Sequence, residues 1–297
     1  MNAPLLISFS SDAACFSVFF SHQFKKGPEA IQVLLEHLED MERAVEFAAY
    51  WDQPDVWSIL GKAQLDKDLV KDSIVSFLKA DDASHFMDVI SASKNAQAFD
   101  DLILFLKMAR GKVKDVKIDN ELLYAYARVD RLADLEDFLA ASNIAKVQDV
   151  GDILFNESLY QAARICYTHV NNNAKLAICL VRLKLYAEAV EAARKANNIL
   201  TWKEVCFSTV IAREFRLAQM CAMHIIVYMD HLLDLVRHYE RFGYFQELIA
   251  VLEQGINLER SHQGMYTQLG VLYAKYKEEK LMEHVRAQHT QRARNRT

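Results

Sequence analysis

Cys166 and His169 stand one helical turn apart and Cys179 follows, and thiolates with an imidazole at such spacing are the ligands of zinc chemistry. No fourth ligand sits at a suitable distance in sequence, so these residues read as packed thiols and a solvated histidine. His224, His231 and His238 recur every seven residues with Asp234 among them, a pattern that would tune a contact surface on protonation near pH 6. A turn near Met229-Asp230 would break that register. The carboxylate pairs Asp81-Asp82 and Asp100-Asp101 could serve acid–base work, but they fall at helix starts or turns, where capping and the helix dipole account for acidic residues. Tyr160, Tyr186, Phe215 and Phe245 would suit base stacking, yet their repeat spacing marks them as hairpin core. Trp202-Lys203, just after a turn, offers either a docking point or a tryptophan that staples a helix start. GxxxxGK[ST], GxGxxG after a strand, GxSxG and HExxH are all missing. The sequence therefore assigns no catalytic residue, no cofactor and no metal. An enzyme would instead need a closed polar cavity.

The elements that carry these residues repeat. Met41, Val70, Phe99, Leu132, Tyr160, Tyr186, Phe215 and Phe245 are followed, three positions on, by Ala44, Ser73, Leu102, Leu135, Ala163, Ala189, Ala218 and Leu248. The anchors are separated by 29, 29, 33, 28, 26, 29 and 30 residues. Such an interval holds two helices of about ten to twelve residues and two turns. The predicted fold is all-α, a superhelix or α-solenoid of stacked, TPR-like helix hairpins. Eight hairpins at about 8–10 Å each would make a rod on the order of 80 Å.

Local patterns fill in the hairpins. Val150, Ile153 and Leu154 are expected on one face of a helix opened by Asp149, Gly151 and Asp152, with Asn156-Glu157-Ser158 as the turn. Leu159, Ala162, Ala163, Cys166 and Val170 make the return helix, which Asn171 to Asn173 end. The next hairpin carries Leu176, Ile178, Leu180, Val181 and Leu183, then Tyr186, Ala189, Val190 and Ala193, with Asn197-Asn198 closing it. A small residue three after the anchor lets the two helices approach closely.

Composition agrees. Lys and Arg total 35 against 40 Asp and Glu, and the net charge of -5 gives no polycation for nucleic acid. The only prolines are Pro4, Pro28 and Pro54, so nothing after Asp55 breaks a helix that way. Cys15, Cys166, Cys179, Cys206 and Cys221 are scattered and read as buried, reduced thiols of a cytosolic protein; in that setting the sequon Asn156-Glu157-Ser158 carries no weight. The apolar run Leu5 to Phe24 lacks a basic start and is interrupted by Ser8, Ser10, Ser11 and Asp12, which excludes a signal peptide and a membrane span. Met1 to Gly27 is expected to lie outside the fold.

Several runs are recognisable. Ala196-Asn197, Thr201-Trp202-Lys203-Glu204-Val205-Cys206-Phe207 and Glu214-Phe215-Arg216-Leu217-Ala218-Gln219-Met220-Cys221 closely resemble the leg of the clathrin heavy chain. So do Val56-Trp57-Ser58, Lys62 to Leu65, Lys79 to Asp82, Gly243-Tyr244-Phe245 and Glu247 to Ile249. The resemblance implies clathrin heavy-chain repeats, a partial one over 30–142 and another over 145–286. Residues 1–29 and the basic tail 287–297, with Arg292, Arg294 and Arg296, do not match the pattern and are expected to be extensions, either disordered or from a misassembled gene model.

The resemblance further implies a non-enzymatic leg segment of a vesicle coat in intracellular protein transport. Its partners would be clathrin light chain and other heavy-chain legs. It would reside in the cytoplasm, on the cytosolic face of coated vesicles and pits, with only indirect membrane association. Nothing resembles the family's β-propeller or trimerisation segment, so the chain alone is not expected to trimerise or bind adaptors. Contacts are expected at Trp202, Lys203, Arg213, Arg216, Arg237 and Tyr239, taken as exposed. The alternative is another α-solenoid scaffold of a sorting or tethering complex.

Overall fold

Helices supply all the regular structure among the described residues of the computed structural model, which are 27–36, 40–283, 285 and 286. They fall into two units that divide between Lys146 and Val147. The first holds α1 (Gly27–Glu36), α2 (Met41–Trp51), α3 (Pro54–Asp66), α4 (Val70–Ala80), α5 (Phe86–Ala96), α6 (Phe99–Lys112), α7 (Val116–Arg128) and α8 (Leu132–Ala140). The second holds α9 (Val147–Asn156), α10 (Tyr160–His169), α11 (Asn173–Arg182), α12 (Tyr186–Ala196), α13 (Ile199–Ile211), α14 (Phe215–Ile225), α15 (Met229–Phe242), α16 (Phe245–Gly255) and α17 (Gln263–Tyr276). Within each unit the helices pack as four consecutive antiparallel pairs, and α17 packs on α15 and α16. The chain is an all-α solenoid of repeats.

Every anchor residue opens the second helix of its pair. The residue three positions on is fully buried in all eight cases, from Ala44 to Leu248. One turn of helix separates the two, so the anchor sits at the rim while the following residue faces the first helix.

Seven of these helices are entered through one turn. Asp68, Gln97, Asp130, Ser158, Lys184, Arg213 and Gly243 adopt left-handed backbone, with φ between +54° and +75°. The next residue, such as Leu69 or Leu185, has φ near −85° and ψ of 58–65°. Its N–H donates back to the carbonyl five residues earlier at 2.9–3.1 Å, while the left-handed residue donates to the carbonyl three earlier at 3.0–3.3 Å. Those two bonds form a Schellman motif and satisfy carbonyls that a helix end otherwise leaves orphaned. Left-handed backbone costs roughly 1–2 kcal/mol for a residue with a Cβ. Only Gly243 escapes that cost. The eighth entry differs, because Asp40 caps α2 by accepting from the Arg43 N–H at 3.1 Å.

The interior of the first unit is apolar with placed polar locks. Ser73 Oγ donates to the Gly61 carbonyl at 2.8 Å and Ser76 Oγ to Gln64 Oε1 at 2.6 Å, tying α4 to α3. The segment after α8 is clamped by buried Asp119, which receives the Ile144 N–H at 2.8 Å and pairs with Arg110 Nε at 2.9 Å. Arg110 also donates to the Ser142 carbonyl and lies 4.7 Å from the Phe138 ring centroid. Asn120 Oδ1 takes the Lys146 N–H at 2.7 Å.

The second unit is filled with alanine, sulfur and aromatic rings. Gly151 shows how close its helices come, since a Cβ there would lie 3.2 Å from Cys166 Cβ and Tyr167 Cε1. Tyr167 Oη donates to Asp152 Oδ1 at 2.8 Å, and Lys175 Nζ meets the same carboxylate at 2.5 Å.

The structure corrects two expectations. The stripe of α9 is Val147, Val150, Gly151 and Leu154, while Ile153 points outward at 48% exposure. Offsets of three, four and seven make one face, and Ile153 falls off it. Helix α1 begins at Gly27, which the sequence reading left outside the fold. The reason is packing: Gly27 is buried against Trp51, whose indole leaves no room for a Cβ there. Residues 1–26, with the apolar run and Cys15, and the tail 287–297 lie outside the described residues. Among the described residues no helix is long and apolar enough to cross a membrane.

Candidate interaction surface

The residues expected to make contacts gather on α13, α14 and α15, and local sequence explains their placement. Asn197 ends α12 in left-handed backbone, and Asn198 caps α13 by accepting from the Leu200 N–H at 2.9 Å. Trp202 and Lys203 follow in the first turns. Trp202 turns inward, 4% exposed, and stacks on His224 of α14 with centroids 4.1 Å apart and planes 9° from parallel. One turn further, Phe207 stacks on His238 of α15 at 4.1 Å and 6°. His238 Nε2 lies 3.1 Å from the Phe207 carbonyl oxygen, so the ring is both stacked and tethered.

Two of the six residues are therefore core. Trp202 and Tyr239 were expected to be exposed, and both are buried, Tyr239 at 1%. An indole or phenol is mostly apolar surface, and here each is used to join neighbouring helices. Lys203 is engaged as well, with its Nζ 2.6 Å from Asp234 Oδ2. That hydrogen bond holds the Asp234 carboxyl below the usual carboxylate range. Arg213 occupies a left-handed turn position and donates from Nε to Tyr244 Oη at 3.1 Å. Arg216 and Arg237 are exposed.

The residues considered for chemistry do not converge. His224 belongs to α14, while His231 and His238 belong to α15, with the break at residues 226–228. Burial, followed by the nearby Arg194 charge, holds His224 below its ordinary pKa. Burial does the same to His238 against the opposing pull of the Phe207 carbonyl. On α10, Cys166 is buried and His169 exposed, and the Cys179 thiol donates to the Tyr160 carbonyl at 3.1 Å. Burial pushes the Cys166, Cys179 and Cys221 thiols up to about 12, which leaves them protonated and poorly nucleophilic at neutral pH. Among the described residues no group of three His, Cys, Asp or Glu could hold a metal ion. Asp81 ends α4 in left-handed backbone and pairs with Lys112, and Asp82 accepts from Ser58 Oγ at 2.5 Å. Asp100 and Asp101 lie in the first turn of α6.

The surface also has features the sequence reading missed. Leu200, Ile211, Tyr228, Met229 and Leu233 are large, apolar and exposed around the same three helices. Tyr228 also lines an open cleft of about 560 Å³, with Trp202, His224, Val227, Leu258 and Arg260 among its other lining residues. The available signal was the position of Leu200 directly after a capped turn, of Tyr228 in the loop between hairpins and of Met229 at the start of α15, where apolar residues have no core face to occupy.

Comparison with known proteins gives this surface a context. A family model described as a region in clathrin and VPS matches residues 77–217 and 224–295. The chain belongs to the clathrin heavy-chain repeat family. It is 49% identical to clathrin heavy chain 2 of Oryza sativa over 287 residues, 96% of this chain and 17% of the relative. It is similarly 48% identical to the clathrin heavy chain of Drosophila melanogaster over 283 residues, and 44% identical to clathrin heavy chain 2 of Homo sapiens over 283; each covers 95% of this chain and 17% of the relative. The chain thus spans about a sixth of the length of these relatives. The alignments reach beyond residues 30–286, and the family match extends to residue 295. Within this clathrin-repeat chain, the Trp202–His224 stack joins the two helices of one hairpin and the Phe207–His238 stack joins that hairpin to the next. Exposed cations and apolar side chains beside those joints are what a partner can reach.

Proposed function

We propose that this chain is a structural leg segment of a clathrin-type vesicle coat, serving vesicle-mediated intracellular protein transport on the cytosolic face of coated membranes. The observation that carries the reading is the similarity to clathrin heavy chains along 96% of this chain. Its work is to hold shape and present surface. It has no catalytic residue and no cofactor, and it contacts membrane only through the coat. Residues 30–142 form part of one clathrin heavy-chain repeat and residues 145–286 another.

Leg-to-leg packing and light-chain docking use the exposed face of α13–α15. Arg216 and Arg237 make the direct contacts, with Arg213 and Lys203 at their flanks, while Trp202 and Tyr239 hold the face from beneath. The exposure of Arg216 on α14 and of Arg237 on α15, one turn from the exposed Leu233, supports that division. The test is a pull-down of purified clathrin light chain and of heavy chain by the full 297-residue chain. Capture of both is expected, with light-chain affinity falling at least about tenfold in Arg216→Glu/Arg237→Glu. Unchanged light-chain binding in that variant would remove the assignment of this face.

A second reading, a scaffold subunit of a sorting or tethering complex, is favoured by the family description, which names VPS beside clathrin. Recovery of tethering subunits without clathrin in the same experiment would establish it over the coat.

A further inference from the structure

A different surface, in the first unit, has the chemistry of a docking groove. Helices α2 and α4 are both second members of their pairs, and between them, over α3, runs an open groove of about 590 Å³. Its apolar lining includes Val45, Leu69 and Val75, all exposed, with Val75 at 50%. Its rim carries Glu42 and Glu46 from α2 and Asp72 from α4, likewise exposed. None of these three carboxylates makes an ion pair with another described residue. The one cation of the lining, Lys79, is drawn over the Trp57 ring, 4.0 Å from its centroid. Each wall is an eleven-residue helix, about 16 Å long, which matches roughly three turns of a bound helix.

We infer that the groove between α2 and α4 docks a basic amphipathic helix of a partner protein, its apolar stripe on Val45, Leu69 and Val75 and its Lys or Arg flanks on Glu42, Glu46 and Asp72. The helix-in-groove mode needs an apolar floor for the stripe and an opposite charge along the edges, and both are present here. A solvated face of mixed charge would carry acids and bases in alternation, whereas this rim presents acids with its single lysine turned onto an aromatic ring. A second copy of this chain is a poorer occupant, because it carries a net charge of -5. This inference stands apart from the coat reading, which uses the face of α13–α15.

The experiment uses fluorescence anisotropy with the full chain and a labelled helical peptide of leucine and lysine about three turns long. Two further probes are the same peptide with glutamate for every lysine, and a scrambled leucine–lysine peptide without a stripe. Saturable binding of the first peptide alone is expected. Glu42→Gln/Glu46→Gln/Asp72→Asn should weaken it at least about tenfold, the sum of three exposed ion pairs of modest strength. Val45→Ser/Val75→Ser should weaken it as well. Asp100→Asn/Glu136→Gln/Asp137→Asn removes the same charge elsewhere in the unit and should change affinity less than about twofold. Equal losses in the two charge variants would reduce the effect to net charge and overturn the inference. Equal binding of the scrambled or glutamate peptide would overturn it too, as would a dimer by sedimentation that dissociates in Val45→Ser/Val75→Ser. Circular dichroism melts of each variant separate these outcomes from misfolding, and the carboxamide variant decides alone if the serine variant does not fold.

Discussion

Buried polar side chains in the first unit are Gln64, Ser73, Ser76, Ser93 and Asp119, whereas the described residues of the second bury only Thr201 and Thr209. In their place the second unit has four buried thiols, a series of fully buried alanines and the two aromatic–imidazole stacks. Yet both units enter their anchor helices through the same Schellman turn and bury the same position one turn later. The comparison teaches that the hairpin is set by backbone closure at the turn and by one close contact. What fills the remaining interior differs between the units, and the buried Gln64, Ser73, Ser76, Asp119 and Thr209 side chains are hydrogen-bonded while Ser93 Oγ is not. The two interiors should therefore fail in different ways.

The largest effect belongs to the clamp of the first unit. Asp119→Ala removes the partner of Arg110 and of the Ile144 N–H at once, and should cost about 3 kcal/mol in chemical denaturation. That is the lower end for a buried pair, since Arg110 reaches solvent. A loss under about 0.5 kcal/mol would show that the clamp is incidental. In the second unit the sensitive change is enlargement rather than removal. Ala189→Trp, at a fully buried anchor-plus-three position, should cost more than about 1 kcal/mol by overpacking. An unchanged melting curve would contradict the close approach of α11 and α12.

The shared turn predicts a smaller effect, of opposite sign at different positions. Gly243→Ala places a Cβ on backbone at φ +75° and should destabilise by about 1 kcal/mol. Lys184→Gly, at φ +61°, should be neutral or stabilising by up to about 1 kcal/mol. Two destabilised variants in parallel melts would mean that the lysine side chain contributes more than its backbone strain costs.

The smallest effect is the pH response of the stacks. His224 and His238 titrate below their ordinary pKa near 6.5 in the folded chain, chiefly because burial disfavours the charged ring. Between the folded and unfolded pKa values the unfolded chain binds more protons. Their contribution is thus complete above about pH 6.5 and is lost as pH falls through the depressed folded values, and the partial exposure of both rings keeps it small. A His224→Gln/His238→Gln chain should show a flatter decline in melting temperature between pH 7 and pH 5. An equally steep decline would place the titrating groups elsewhere.

Much of this fold was legible because the repeat is written in residue size. The positions three after each anchor are constrained by contact, so all eight read correctly from spacing, whereas Tyr160, Tyr186, Phe215 and Phe245, expected as hairpin core, are half-buried at the rim. The left-handed turn positions were harder. Gly243 and Asn197 announce themselves, but Asp68, Gln97, Asp130, Ser158, Lys184 and Arg213 do not, because the backbone bonds of the motif hold them whatever the side chain. The candidate surface was read least well. Trp202, Lys203 and Tyr239 are amphipathic and suit a docking face or a joint between helices equally, and only the positions of His224, Asp234 and Cys206 across the packed helices decide. The same applies to the groove of the first unit, whose walls lie 29 residues apart in sequence, from Met41 to Val70.

Amide-resolved hydrogen exchange on the intact chain tests the central claim, that one turn closes hairpins in both units. The amides of Leu69, Ala98, Arg131, Leu159, Leu185, Glu214 and Tyr244, which donate the long back-bond of each turn, should exchange as slowly as the helix amides beside them. Fast exchange at these positions in either unit would contradict a common closure and leave the interiors, rather than the turn, as what holds each hairpin together.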